Sequence, residues 1–348
     1  MAEIIDMQVG MDKEFFGELW KYVKDPNIID VDYNGRQLWI RNSSGEKWVD
    51  EDIHITDDFV EAFASKVAGH ENVGFNKNQP EMEADTNVLR ITFLLDEVAT
   101  TGTCFFIRKS MPKIRLTEEK MIKEGYCSKE IHDLMVNCIR ANLSIIVCGQ
   151  PGIGKTELEK YLSQSISDDQ RAVVVEDTSE WHYEQINPRK DCVTIKIREG
   201  VFGYTDAIRA SLRMNTNWLI IAEVRGTETV ALIEAASTGL NTITSLHTGD
   251  VRDIPDRMLS MMGSSHASDR LENDIYRNID VGTLLRWKEC DDGMVRRVID
   301  QLCFFVREKK DNSCVLLVKD GEILPDVKLP GYVSKKFEDA GIENPFAL

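Results

Sequence analysis

One stretch constrains this chain more than any other. Ser144 to Cys148 is a short, unbroken, apolar and β-branched run, as expected of a strand buried on both faces of a parallel sheet. The next eight residues, Gly149-Gln150-Pro151-Gly152-Ile153-Gly154-Lys155-Thr156, match the phosphate-loop pattern at every required position. From Glu157 the apolar residues Leu158, Tyr161, Leu162 and Ile166 fall at helical spacing. Strand, glycine loop and helix follow in the order that the motif needs. The residue types have physical reasons. Gly152 and Gly154 permit backbone conformations that aim successive N–H groups inward as a nest for anions. The helix start near Lys155 adds its positive dipole end. Lys155 is placed to reach β- and γ-phosphates, and the Thr156 hydroxyl to hold Mg²⁺. The stretch predicts a nucleotide site with Mg²⁺ at the Thr156 hydroxyl.

Composition narrows what surrounds it. With 348 residues, 42% of them hydrophobic, the chain is long enough for two cores. A formal net charge of −17 speaks against a surface built to coat nucleic acid. The eight cysteines are scattered singly with no Cys-x-x-Cys pair, so reduced thiols are expected and structural zinc is not. No apolar run approaches the ~18 residues of a membrane helix, and the Met1–Asp6 start lacks the character of a signal peptide. A cytoplasmic protein, recruited to any membrane it serves, is the expectation.

Residues 1–112 read as a small α+β domain: a helix over Glu14 to Val23, strands at Ile28 to Tyr33 and Gln37 to Arg41 joined by Asn34-Gly35, a helix through Phe59, Phe63 and Val67, and strands at Val88 to Leu95 and Thr103 to Ile107. Residues 113–142 read as a charged linker or hinge carrying two short helices. From 143 to 348 strands and helices alternate. Strands are expected at Ala172 to Val175, Val193 to Ile197, Trp218 to Ala222 and Thr242 to Leu246, with helices around Asp206 to Met214 and Thr227 to Thr238. Alternation of this kind predicts an α/β fold with a mostly parallel sheet and ligands beyond its C-terminal edge. Asp292-Gly293 and Asp320-Gly321 look like hairpin turns that extend the sheet with antiparallel strands.

Polar clusters follow the strands. Val173 to Val175 runs into Glu176-Asp177-Thr178-Ser179-Glu180, and Trp218 to Ala222 into Glu223-Val224-Arg225-Gly226. A carboxylate at the end of an apolar strand is how nucleotide hydrolases hold Mg²⁺ or polarise water. The last strand ends at Ser245-Leu246-His247-Thr248, so His247 is a candidate of the same site.

Taken together these boxes resemble the type II and type IV secretion and type IV pilus ATPases. The match is carried by the phosphate loop, Glu176 to Glu180, Ser211 to Met214 leading to Ile221 to Gly226, Ser237-Thr-Gly239 and Thr244 to Thr248, with Ile29 to Gly35, Trp39 and Phe105 to Lys109 in the first domain. The resemblance implies a RecA-like phosphate-loop ATPase domain behind a smaller α+β domain, assembled as a homo-hexamer. It gives Lys155 and Thr156 their phosphate and Mg²⁺ roles, Glu223 and Glu180 catalytic and metal-holding roles, and His247 the histidine box. Arg209 and Arg213 match arginines that approach the nucleotide across a subunit interface, and Arg90 and Arg108 lie on strands that would face it. Inner-membrane components of a secretion or pilus machine, and a coupling ATPase, are the implied partners. The sequence departs from the family pattern at Ala222, Leu240 and Asn215-Thr216-Asn217. The absence of the type II subgroup's cysteine-rich metal insert, combined with the N-terminal domain, favours the type IV secretion or tight-adherence branch. Pilus assembly and a hexameric nucleic-acid translocase are the other motor readings; a non-catalytic nucleotide-binding scaffold is the third class.

Overall fold

The computed structural model describes residues 12–86, 88–198, 200–262, 269–289 and 293–348. The Met1–Asp6 reading, Cys290 and Asp292 of the expected turn lie outside them. The chain divides into two compact units: residues 1–112 with Thr178–Glu180, and residues 113–177 with 181–348.

Unit 1 holds one antiparallel sheet. Its strands are β1 (Ile28–Tyr33), β2 (Leu38–Asn42), β3 (Lys47–Asp50), β4 (Glu81–Asp85), β5 (Leu89–Leu94) and β6 (Cys104–Lys109), in the order β3-β2-β1-β6-β5-β4. Alternation along β5 and β6 turns Leu89, Ile91, Phe93, Phe105 and Ile107 inward, as a sheet with one covered face requires. They meet Val60, Phe63 and Val67 of the helix Asp57–Glu71. Thr56 caps that helix by accepting from the Phe59 N–H at 3.2 Å, and Asn72 ends it in the left-handed region. The helix expected over Glu14 to Val23 is broken. Gly17, at φ +54°, interrupts it, leaving Lys13–Phe16, a 3-10 turn and Trp20–Val23. Strand β4 escaped the sequence reading, because only Met82 and Ala84 of Glu-Met-Glu-Ala-Asp point inward from this edge position.

Unit 2 is a nine-stranded sheet. The strands are β7 (Ile145–Gly149), β8 (Ala172–Glu176), β9 (Cys192–Lys196), β10 (Trp218–Ile221), β11 (Asn241–Leu246), β12 (Val281–Glu289), β13 (Val295–Glu308), β14 (Asp311–Lys319) and β15 (Glu322–Ile323), in the order β15-β14-β13-β12-β7-β11-β10-β8-β9. From β9 to β12 all neighbours are parallel; β12 to β15 form an antiparallel meander. Both faces are covered, which explains the uninterrupted apolar runs. Ile145 and Val147 enter one core cluster and Ile146 and Cys148 the other; Val174 and Ile220 are divided from Val173 and Ile221 in the same way.

The stretch 113–142, read from its charges as a connector, packs as part of unit 2 from Lys113 onward. It forms the helices Glu118–Lys123 and Lys129–Arg140. Ile131, Leu134, Met135, Cys138 and Ile139 of the second are buried in the core that also holds Ile145 and Val147. The charge-rich Thr117 to Lys120 belongs only to the first, short helix. The helix expected over Asp206 to Met214 spans Tyr204–Ser211.

Candidate functional site

The parallel strands of unit 2 end on one edge, so the residues that follow them converge. Strand β7 runs into the glycine loop, and the helix Lys155–Ser163 starts directly after it. Three loop glycines have left-handed backbone: Gly149 at φ +146°, Gly152 at +71° and Gly154 at +97°. They serve different ends. A β-carbon on Gly149 would lie 2.7 Å from the Leu285 carbonyl oxygen of β12, and one on Gly154 3.2 Å from the Arg297 guanidinium, whereas one on Gly152 meets nothing. Gly149 and Gly154 therefore let protein approach closely, and Gly152 supplies the turn itself.

Lys155 is buried, 8% exposed. Its Nζ donates only over long distances, 3.3 Å to the Gly149 carbonyl and 3.5 Å to that of Gln150, and lies 3.2 Å from Nδ1 of His247. Burial pushes its pKa below the ordinary lysine value, against the pull of Glu223 and Glu159. A buried ammonium served by long contacts at the start of a helix fits an anionic ligand such as the phosphates of a nucleotide.

Glu223 follows β10. Its Oε1 lies 2.7 Å from Nε2 of His247 and its Oε2 accepts from Arg225 at 2.8 Å. Arg225 also faces Asp177 at 3.7 Å, and the Glu223 hydrogen bond is the largest influence raising its pKa. His247, after β11, reaches back to the loop with Nδ1 2.9 Å from the Gly149 carbonyl. The ring thus bridges the loop and the carboxylate, and Lys155, His247, Glu223 and Arg225 form one connected network. The hydroxyl of Thr156, at the helix start, and the Glu223 carboxylate are hard oxygen donors of the kind that suit Mg²⁺. Among the described residues a separate group of possible metal ligands, Glu118, His132 and Asp133, is already engaged: the Lys129 ammonium lies 3.0 Å from Glu118 and 2.6 Å from Asp133, and Nδ1 of His132 lies 2.7 Å from Asp133. It is an ion-pair cluster.

The remaining expected residues have the following surroundings. Glu180 belongs to the Thr178–Glu180 segment of unit 1, where Ser110 donates to its carbonyl at 3.2 Å. Arg90 pairs with Asp85 at 3.3 Å and bonds the Thr178 hydroxyl; Arg108 pairs with Asp30 at 3.1 Å, its register partner on β1. Arg209 is on the helix Tyr204–Ser211 and Arg213 just beyond it; both are exposed and neither makes an ion pair among the described residues. The clamp of Arg225 on Glu223 is an addition that the sequence signalled only by the Glu-Val-Arg spacing.

Comparison with known proteins identifies the family. Residues 85–319 match the family described as "Type II/IV secretion system protein". An uncharacterised protein of Bacillus anthracis is 30% identical over 270 residues, 76% of this chain and 60% of its own length. A protein of Mycobacterium tuberculosis named for conjugal transfer is 30% identical over 178 residues, 49% of each chain. The type IV secretion system protein VirB11 of Brucella abortus is 24% identical over 298 residues, 80% of this chain and 78% of its own. The chain thus spans about half to three fifths of the length of the first two relatives. Among solved structures, the pilus retraction motor PilT with bound ADP has the same fold, with a TM-score of 0.61, 15% identity, and coverage of 94% of this chain and 86% of that one. The chain described here belongs to the type II/IV secretion system protein family.

Proposed function

We propose that this chain is an ATPase that powers a type IV secretion machine of the conjugation-like kind. The observation that carries the reading is the buried, poorly served Lys155 ammonium beside His247, whose ring also lies against the strand-end carboxylate of Glu223. In this reading the loop N–H groups and Lys155 hold the β- and γ-phosphates, and Glu223 orients and polarises the attacking water. His247 keeps the carboxylate and the loop in register. Mg²⁺, held by Thr156 and Glu223, would neutralise charge on the phosphates. Arg209 and Arg213, exposed and unengaged among the described residues, are proposed to act on a neighbouring subunit's nucleotide in a homo-hexamer. Glu180, Arg90 and Arg108 enter the reading through family resemblance alone. The VirB11 and conjugal-transfer relatives support the type IV assignment and, with it, inner-membrane partners, a coupling ATPase and a place at the cytoplasmic face of a membrane. No helix among the described residues is long and apolar enough to cross one. Pilus assembly is the second reading.

The test is Glu223→Gln, which keeps shape and removes charge. It should bind ATP with wild-type affinity and turn over about 100- to 1000-fold more slowly. Hydrolysis at the wild-type rate would remove Glu223 from the chemistry.

A further inference from the structure

Strand β12 does not stop at the sheet edge where β7 stops. Gly149, the last residue of β7, pairs with Leu285, and β12 then continues through Arg286 and Trp287 to Glu289, supported by β13. Leu285 and its partner Ile299 belong to the core cluster that contains Ile153, Leu158 and Leu162 of the loop and the following helix. Two residues further out on each strand, and hence on the same face, stand Trp287 and Arg297, which are themselves register partners. The Arg297 guanidinium lies over the Trp287 ring, 4.9 Å from its centroid, and the same guanidinium borders Gly154. Trp287 remains 40% exposed, the largest side chain of this projecting hairpin left open to solvent.

Strand order tells which end of a nucleotide this pair would meet. Glu223 and His247 follow β10 and β11, on one flank of β7, so the γ-phosphate end points that way. The opposite flank is β12 and β13, and a nucleotide whose phosphates fill the loop extends its ribose and base toward it. We infer that Trp287 and Arg297 form the base-side wall of the nucleotide site, with Arg297 packed between the glycine loop and the indole and Trp287 offering its ring to a purine. An indole beside a guanidinium suits a flat heteroaromatic ring by stacking and cation–π attraction. The inference deepens the proposed ATPase reading and rests on it.

The test separates base from phosphate on the full-length protein, by calorimetric titration with ATP and with inorganic tripolyphosphate, each with Mg²⁺. Trp287→Ala should weaken ATP about tenfold while tripolyphosphate affinity stays within about twofold, which also reports an intact loop. Trp287→Phe should retain most of the ATP affinity, and Arg297→Ala should weaken ATP several-fold. Unchanged ATP affinity in Trp287→Ala, or equal weakening of both ligands, overturns the wall. Lys155→Ala should lose both ligands; wild-type binding there strikes the nucleotide site itself, and the wall with it.

Discussion

The two flanks of strand β7 are built on different principles. On one side, β11, β10 and β8 are parallel strands that end near one another, and the residues that follow β11 and β10, His247 and Glu223, come within 2.7 Å. On the other side, β12 and β13 form an antiparallel hairpin that overruns the edge and carries an aromatic ring and a guanidinium beside the loop. The parallel strands of the first flank each leave the sheet for a connecting segment, whereas β12, parallel to β7 but joined to β13 by a hairpin, runs on past the edge. The parallel flank therefore gathers charged groups at the reacting end, and the antiparallel flank provides a wall. The difference predicts a division of labour: turnover on one flank, affinity for the base on the other.

That division can be broken most sharply at His247. It touches the loop carbonyl, Lys155 and Glu223 at once, so His247→Ala should misplace the carboxylate and lower kcat about 100-fold. As a positioning residue it should leave the KM for ATP nearly unchanged, the reverse of the pattern expected at Trp287. A KM effect with kcat intact would erase the distinction between the flanks. A smaller effect is expected from the exposed arginines. Mixed assemblies of Arg209→Ala or Arg213→Ala with Lys155→Ala should recover part of the activity that each lacks alone, as an arginine supplied in trans requires. If mass spectrometry shows mixed rings and activity does not return, the arginines act within their own subunit. The smallest effect concerns stability. Asp250 accepts from the Arg252 side chain at 2.9 and 2.8 Å and from its N–H at 2.9 Å, and these bonds, the side-chain ones foremost, hold its carboxyl down at about 2. A carboxyl depressed on folding stabilises above its unfolded value near 3.8, and the contribution is lost as the pH falls toward 2. Solvent screening keeps it to at most about 1 kcal/mol. Thermal melts of Asp250→Asn should lie below wild type at pH 6 and converge with it between about pH 4 and 2; a constant gap would place the effect outside titration.

The same contrast explains what the sequence made legible. Strands β7, β8, β10 and β11 are buried on both faces, so their composition alone marks them, and the residues after them were found by position. The hairpin β12–β13 has one solvated end, Arg286 to Glu289, and an isolated Trp or Arg there carries no motif. Their meeting depends on a register that pairs Trp287 with Arg297, which periodicity cannot give. Charge misled at 113–142, where it marks the exposed turns of a short helix while the next helix is apolar enough to enter the core. Gly17 looked like one residue in a helical stripe, yet its backbone takes a conformation that ends a helix.

The three glycines of the loop have a consequence for how such a motif can drift. Gly152 faces open space, so its substitution is governed by backbone conformation alone, and Asn, which tolerates the left-handed region, is the natural alternative. Gly149 has no such freedom: any side chain would be driven into the Leu285 carbonyl and would prise β7 from β12. One letter of the signature is thus owed to the backbone of the turn and another to the joinery of the sheet. A descendant that gave up nucleotides altogether would still be held to glycine at 149 for as long as those two strands stay paired.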